Sequence, residues 1–143
     1  MSELEFYTRE LERTGRFGME REFPHHGDIS VYTHSLHVAR VSLRLSKALP
    51  GKFHQRELIR GALLHDYYLY NWHHGGEGHR LHGFRHAKTA LRNARRDYNL
   101  SPIEEKIIAH HMFPLTPLPP TCREAWIVCV ADKVCAVSEL VKR

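Results

Sequence analysis

The residues best suited to chemistry in this chain are histidines and aspartates that interrupt apolar runs. His65 and Asp66 end the apolar run Gly61–Leu64, and Asp132 interrupts a second long apolar stretch. Neutral imidazoles and carboxylates are ligands that zinc, iron and manganese accept. Since a buried carboxylate is costly unless it is paired or bound to a metal, these positions predict a metal site.

Each position also has a plainer interpretation. Asp132 alone is explained equally well by an ion pair with Lys133 or with a distant arginine, although adjacent residues on a helix do not face each other. His65 alone is explained by the negative dipole end of a helix. The combination is stronger, because four ligands from three helices can enclose an ion in a bundle core. These four ligands are His34, His65, Asp66 and Asp132.

Three further histidines extend this set toward a second ion. His86 lies on a face of small residues, although a partly exposed histidine near a helix start is the plainer interpretation. The side chains of His110 and His111 point about 100° apart on a helix, so one ion is expected to use only one of them. His111 follows Ile107 by four residues and Ile103 by eight, which favours a direction into the core.

The segments that would position these residues read as helices. Hydrophobic periodicity predicts helices over residues 3–14, 33–49, 55–69, 84–98 and 121–142, with a short helix opened by a capping box at Ser101–Glu104. Pro50 and Gly51 end the second helix, and Pro114 ends the short one. Residues 15–28 and 70–83 are expected to be loops, and no segment reads as a strand. The last helix is apolar nearly all round, which predicts burial on every side.

Composition is that of one globular domain over residues 1–143, with its core at about 30–140 and the helix 3–14 packed on it. No apolar run is long enough to span a membrane, and the N-terminus does not read as a secretory signal. Cys122, Cys129 and Cys135 read as free thiols in a reducing cytoplasm. The net charge of +5 comes from scattered basic residues, which favours a small phosphorylated substrate over nucleic acid.

The ordered set of candidate ligands resembles the HD-domain superfamily of metal-dependent phosphohydrolases. The resemblance covers about residues 30–140. It is carried by four local contexts: His34-Ser-Leu-His-Val-Ala, Gly61-Ala-Leu-Leu-His-Asp, His86-Ala-Lys-Thr-Ala and Val130-Ala-Asp132. It implies an all-α HD-domain bundle of five to seven helices.

The resemblance also implies roles for the individual residues. His34, His65, Asp66 and Asp132 match the core metal set of the superfamily. His86, His110 and His111 match the extra ligands of its dinuclear members, which include cyclic-dinucleotide phosphodiesterases and bacterial diadenosine tetraphosphate hydrolases. Two positions depart from the cyclic-dinucleotide enzymes. Leu69 stands where many relatives have lysine, and Met112-Phe-Pro114 stands in place of their Gly-Tyr-Pro, so that substrate is not expected.

The expected activity is hydrolysis of a phosphoester in a nucleotide or another small phosphorylated metabolite. One or two divalent ions per chain, of iron, manganese, zinc, nickel, cobalt or magnesium, would activate a water molecule. Asp66 and His65 are the predicted catalytic pair. The predicted phosphate-binding residues are Arg60, Lys88 and Lys133, and the predicted proton donors to the leaving group are His37 and His82.

Two other functions fit the same residues. A di-iron oxygenase on this scaffold would use the same ligands, because imidazole suits iron as well as zinc. A non-catalytic nucleotide-binding signalling module would need no hydrolytic ion, although two carboxylates and several histidines around one cavity argue against it. A homodimer is compatible with a helical domain of this size, but no apolar face for it is apparent in the sequence.

Overall fold

The computed structural model describes residues 1–67 and 79–141, and most of this length is helical, as predicted. The described helices are α1 Glu3–Thr14, a short 3-10 helix Phe17–Glu22, α2 Val31–Ala48, α3 Gln55–Leu64, α4 His79–Asp97, α5 Pro102–His110 and α6 Arg123–Val141. The part of the predicted loop 70–83 that contains Tyr70, Trp72, His73 and His74 lies outside these residues. Residues 79–83 are helical instead, because α4 begins at His79, five residues before the predicted start.

Local sequence signals set several helix ends. The Ser30 side chain accepts a hydrogen bond from the Thr33 amide and so caps α2. The predicted capping box at α5 is present, with Ser101 and Glu104 each accepting from the other's backbone amide. Each cap satisfies an amide that the first helical turn leaves without a partner.

Two short strands correct the prediction that residues 15–28 form a loop without sheet structure. Pro24–His26 pairs antiparallel with Ile29–Ser30, and Gly27 turns the hairpin with a φ of 56°. Strands of three and two residues are too short to show a period of two, so hydrophobic alternation could not reveal them. The hairpin leads directly into α2.

Helix α3 ends earlier than predicted. It stops at Leu64, and residues 65–67 form a turn instead of a further helical turn. His65 and Asp66 therefore stand at the C-terminal end of α3, where the backbone carbonyls of the last turn lack regular helical partners.

Helix α2 lies at the centre of the domain and packs against both α3 and α6. Helix α5 packs against α3 and α6 in turn, α4 packs on α5, and α1 packs on α3. Fully buried side chains such as Leu58, Leu63, Ile107 and Val128 fill the space between these helices. This arrangement directs the ends of α3 and α5 toward the middle of α6.

Helix α6 is buried on one face only, so the prediction of burial on every side is wrong. Ala125, Val128 and Ala131 face the core with at most 1% exposure. The opposite face is apolar but 44–61% exposed at Trp126, Val130, Val134, Val137 and Leu140. Apolar composition alone cannot tell these two faces apart, because it carries no helical period.

The described residues agree with the expectations of free cysteine thiols and of no apolar run long enough to span a membrane. All three cysteines are free, with Cys129 and Cys135 buried and Cys122 partly buried. Within residues 1–67 and 79–141, none of the helices has the length and apolar character required to cross a bilayer.

The segment between α1 and α2 is fastened beside the end of α3. The Arg16 amide donates to the Tyr67 hydroxyl at 3.0 Å, and the Phe17 amide donates to the Tyr98 hydroxyl at 3.1 Å. Tyr67 in turn donates to Asp97 at 2.7 Å. Because Tyr67 follows Asp66 directly, these bonds hold the 3-10 helix and the hairpin next to Asp66.

Gly61 allows α3 and α5 to approach closely. A Cβ atom at this position would lie 2.5 Å from Cδ1 and 3.0 Å from Cβ of Ile107. We expect Gly61→Ala to lower the free energy of unfolding by about 1–2 kcal/mol, because overpacking costs more than the gain of about 1 kcal/mol in helix propensity. Thermal or urea unfolding measures this change.

Gly18→Ala is the matched control. Its Cβ atom would lie 3.1 Å from the end of the flexible Arg21 side chain, which can move aside. Equal stability of the two variants would contradict the proposed close contact between α3 and α5.

Candidate metal centre

The Asp66 carboxylate lies between two sets of imidazoles. Its Oδ1 atom is 2.7 Å from Nε2 of His86 and 3.2 Å from Nε2 of His111. Its Oδ2 atom is 3.3 Å from Nε2 of His65 and 3.7 Å from Nε2 of His34. The two carboxylate oxygens of Asp66 therefore contact different pairs of histidines.

Asp132 completes one side of this arrangement. Its Oδ1 atom lies 2.8 Å from Nε2 of His34 and 3.3 Å from Nε2 of His65. Among the described residues, three groups of side chains could hold an ion, and within each group the ligand atoms lie within 4.8 Å of one another. One of them, His25, His34 and Glu139, lacks Asp66, and the other two share it. The first group is His34, His65, Asp66 and Asp132, and the second group is Asp66, His86 and His111.

Backbone carbonyls orient two of these imidazoles. Nδ1 of His65 donates to the Ala62 carbonyl at 2.6 Å, and Nδ1 of His111 donates to the Ile108 carbonyl at 2.8 Å. Because a carbonyl can only accept, Nδ1 must hold the proton, and the neutral ring then has its lone pair on Nε2. Burial also lowers the pKa of His111, which favours this neutral form.

The donor set fits a divalent transition metal. The side chains of His34, His65, His86, His111 and Asp66 belong to residues that are at most 5% exposed. Imidazole nitrogens and carboxylate oxygens together suit zinc, iron, manganese and nickel. Such a concentration of polar groups in a core is stable only when hydrogen bonds or a cation satisfy them.

The two aspartates are held as carboxylates. Burial disfavours their charge, but electrostatic interactions with His65 and His86 outweigh it and hold the pKa of Asp66 well below its usual range. Burial is likewise outweighed at Asp132, where hydrogen bonds from His34 and His65 hold the pKa well below its usual range. Both aspartates are therefore ready to bind a cation at neutral pH.

In the first ligand group, the pKa values of the imidazoles are raised, whereas those of the aspartates are lowered. Burial opposes protonation of His34, but hydrogen bonds to Asp132 and Glu139 prevail and raise its pKa to about 9. Burial also opposes protonation of His65, and there the charge of Asp66 and the bond to Asp132 raise the pKa well above its usual value. In the metal-free protein, these shifts favour the protonated forms of His34 and His65, whose Nε2 atoms face Asp66 and Asp132.

His110 lies apart from both ligand groups. It lines a mainly apolar cavity of about 230 Å³ together with Lys88, Leu91 and Thr116. Its neighbour His111 faces Asp66 instead, as the spacing from Ile107 predicts. The roughly 100° between adjacent helical residues accounts for this separation.

Arg60 does not reach the site, which corrects its predicted role in phosphate binding. Its guanidinium is buried between α3 and α5, where it donates to Glu104 at 2.8 Å, to Glu10 at 3.2 Å and to the Asn99 carbonyl at 3.2 Å. These acceptors occupy the fork of donors that would bind a phosphate. Arg60 instead joins helices of the fold.

Lys133 lies beside the site although it follows Asp132 directly. Its Nζ atom donates to the His111 carbonyl at 2.7 Å and lies 3.9 Å from Oδ2 of Asp132. The side chain is 42% exposed, so its ammonium borders the solvent side of the ligand groups. Lys88 is also exposed, on α4 two residues after His86.

His25 is a site residue that sequence reasoning placed in a loop. The hairpin brings its ring onto the face of His34, with ring centres 3.7 Å apart, and its Nε2 atom lies 3.5 Å from Oδ2 of Asp66. A histidine in an unpatterned segment carries no periodic signal, so only the fold could reveal this position. His37 bonds Glu139 rather than Asp66, and the His82 side chain lies outside the described part.

Glu20 is a second residue that the sequence did not single out. It belongs to the 3-10 helix and is 1% exposed. Among the described residues, neither of its carboxyl oxygens has a hydrogen-bond partner. Burial and the nearby charge of Asp66 raise its pKa well above the usual range, which favours the neutral form of this carboxyl.

The family comparison agrees with this geometry. The model of the HD domain family matches residues 31–137. The chain belongs to the HD domain family. Comparisons with curated proteins and with solved structures find no match. The matched part of the HD domain contains both ligand groups, whereas Glu20, His25 and Glu139 lie outside it.

Metal binding to the HD domain should release protons and strengthen with pH. At pH 7 the raised pKa values of His34 and His65 keep both rings protonated in the metal-free protein, and a ring must lose its Nε2 proton to bind an ion. We expect the affinity for zinc to rise between pH 6 and about 9. Calorimetry in buffers of different ionisation enthalpy counts the released protons, and zinc binding without proton release would contradict these protonation states.

His111→Ala and His110→Ala should differ in metal content. His111 faces Oδ1 of Asp66, whereas His110 lines the apolar cavity. We expect His111→Ala to lose one of two bound ions, because the second group keeps only two ligands. His110→Ala should retain both. Elemental mass spectrometry after reconstitution measures the stoichiometry, and equal metal loss in the two variants would refute the assignment of His111.

Proposed function

We propose that this HD domain is a metal-dependent phosphohydrolase that cleaves a phosphoester of a nucleotide or of another small phosphorylated metabolite. The observation that supports this best is the Asp66 carboxylate, whose oxygens face two separate imidazole groups. A carboxylate in this position can join two divalent ions. Two-ion sites are widely used for displacement at phosphorus.

Each of the two ligand groups that share Asp66 would hold one ion. His34, His65 and Asp132 would hold one ion on the Oδ2 side of Asp66, and His86 and His111 would hold another on the Oδ1 side. Bound divalent ions lower the pKa of a coordinated water and neutralise phosphate oxygens. The low exposure of these ligands limits competition from bulk water, which strengthens electrostatic interactions with a bound phosphate.

Basic side chains on the solvent side of the ligand groups would attract the substrate. Lys133 places its ammonium next to Asp132 and the His111 carbonyl, where it can attract an anionic substrate. Lys88 lies at the cavity that His110 lines, and we assign it a more distant role in substrate binding. His25 offers an imidazole next to Asp66 that can contact the leaving group.

Replacing Asp66 tests this function most directly. Asp66→Asn keeps the shape of the side chain but removes the charge that both groups share. We expect phosphoester hydrolysis to fall at least about a hundredfold, since this residue belongs to both ligand groups. The assay uses purified protein with manganese, zinc or ferrous iron, and a panel of nucleotides, dinucleotides and small phosphomonoesters.

Glu105→Gln is the control for general effects of losing an acidic residue. Glu105 is partly exposed and pairs with Arg95 at 2.7 Å, away from the site. Its activity should equal that of the unchanged protein. Full activity of Asp66→Asn, or an absence of any metal-dependent hydrolysis across the panel, would overturn the proposed function.

A further inference from the structure

His34 cannot be oriented in the way that the other ligand histidines are. His65 and His111 donate to carbonyls in the last turn of their helices, where the regular pattern of helical hydrogen bonds ends. His34 is the fourth residue of α2, and the carbonyls around it belong to the regular hydrogen bonds of that helix. Its Nδ1 atom therefore needs an acceptor from another element.

Glu139 supplies that acceptor. Nδ1 of His34 donates to the Glu139 carboxylate, at 2.9 Å to Oε1 and 3.1 Å to Oε2. Glu139 follows Asp132 by seven residues on α6, so both side chains lie on one face of the helix, two turns apart. Asp132 meets Nε2 of the same imidazole at 2.8 Å. Helix α6 thus contacts both ring nitrogens of His34.

We propose that Glu139 is the positioning residue of the first ligand group. Its carboxylate holds the Nδ1 proton of His34, which leaves the lone pair on Nε2 and points it at Asp66 and Asp132. A carboxylate on the far nitrogen also makes a ligand imidazole more basic and fixes the ring plane. This role rests on the proposed metal centre, and Glu139 lies two residues beyond the matched part of the HD domain.

Helix stability does not explain a glutamate at this position. Glu139 is in the last turn of α6, where the helix dipole disfavours negative charge. Its side chain is only 7% exposed, so its charge also loses hydration. The structure compensates with hydrogen bonds from two histidines, since His37 donates from Nδ1 to Oε2 at 2.8 Å. These bonds hold the carboxylate in one orientation against His34.

The test compares metal affinity in Glu139→Gln and Glu139→Ala with the unchanged protein. Glutamine still offers an oxygen to Nδ1 of His34 but lacks the charge, whereas alanine removes the acceptor. We expect the affinity of one ion to fall about tenfold in the glutamine variant and up to about a hundredfold in the alanine variant. Competition with a chromophoric chelator measures zinc affinity, and the visible spectrum of the cobalt-loaded protein reports ligand geometry.

Glu124→Gln is the matched control. Glu124 is a glutamate of the same helix, is 5% exposed and also accepts from a histidine, His54 at 3.2 Å. It is remote from both ligand groups in sequence and contact. We expect its substitution to leave zinc affinity and the cobalt spectrum unchanged. The melting temperature of each metal-free variant shows whether a change is a general loss of stability.

The possible results separate this inference from the proposed function. A weakened first ion with an unchanged second ion, in a folded Glu139→Gln variant, supports the positioning role. Unchanged affinity and spectrum in both Glu139 variants refute it while the metal centre stands. Equal weakening of both ions, or of the Glu124→Gln control, assigns Glu139 a purely structural role. An unchanged protein that binds no zinc or cobalt refutes the metal centre and the inference together.

Discussion

The arrangement depends on one buried carboxylate, Asp66, that lies within 3.7 Å of the nitrogens of five imidazoles. Asp66 stands just beyond the end of α3 at Leu64, in the turn formed by residues 65–67. The turn directs the two oxygens of Asp66 to opposite sides.

Electrostatics and burial act together at this centre. Carboxylates and imidazoles at such low exposure lose hydration. In the metal-free protein, a hydrogen bond between His34 and Asp132 compensates for this loss, and it raises the pKa of His34. A divalent cation can replace the proton of this hydrogen bond and satisfy more ligands at once. The hydrogen bonds on the far side of the rings, from Ala62 and Glu139, keep the ligand nitrogens oriented in either state.

Much of this was predictable from the chain alone, for identifiable reasons. The capping box at Ser101 and the stop at Pro50 are local signals that depend on neighbouring residues only. His111 was preferred over His110 because its spacing from Ile107 follows the helical period. Arg60 was assigned wrongly, since sequence proximity to His65 does not tell on which side of α3 a guanidinium lies or which acids from other helices meet it.

By itself, the sequence determined the helices, their order and the residue types that can hold an ion, because caps and hydrophobic period are local properties. Tertiary structure alone decided which side chains meet. It brought His25 onto His34 and Glu139 onto the same ring across about a hundred residues of chain. Such contacts depend on how helices pack and where they end, and no spacing along the chain encodes the distance between α2 and α6.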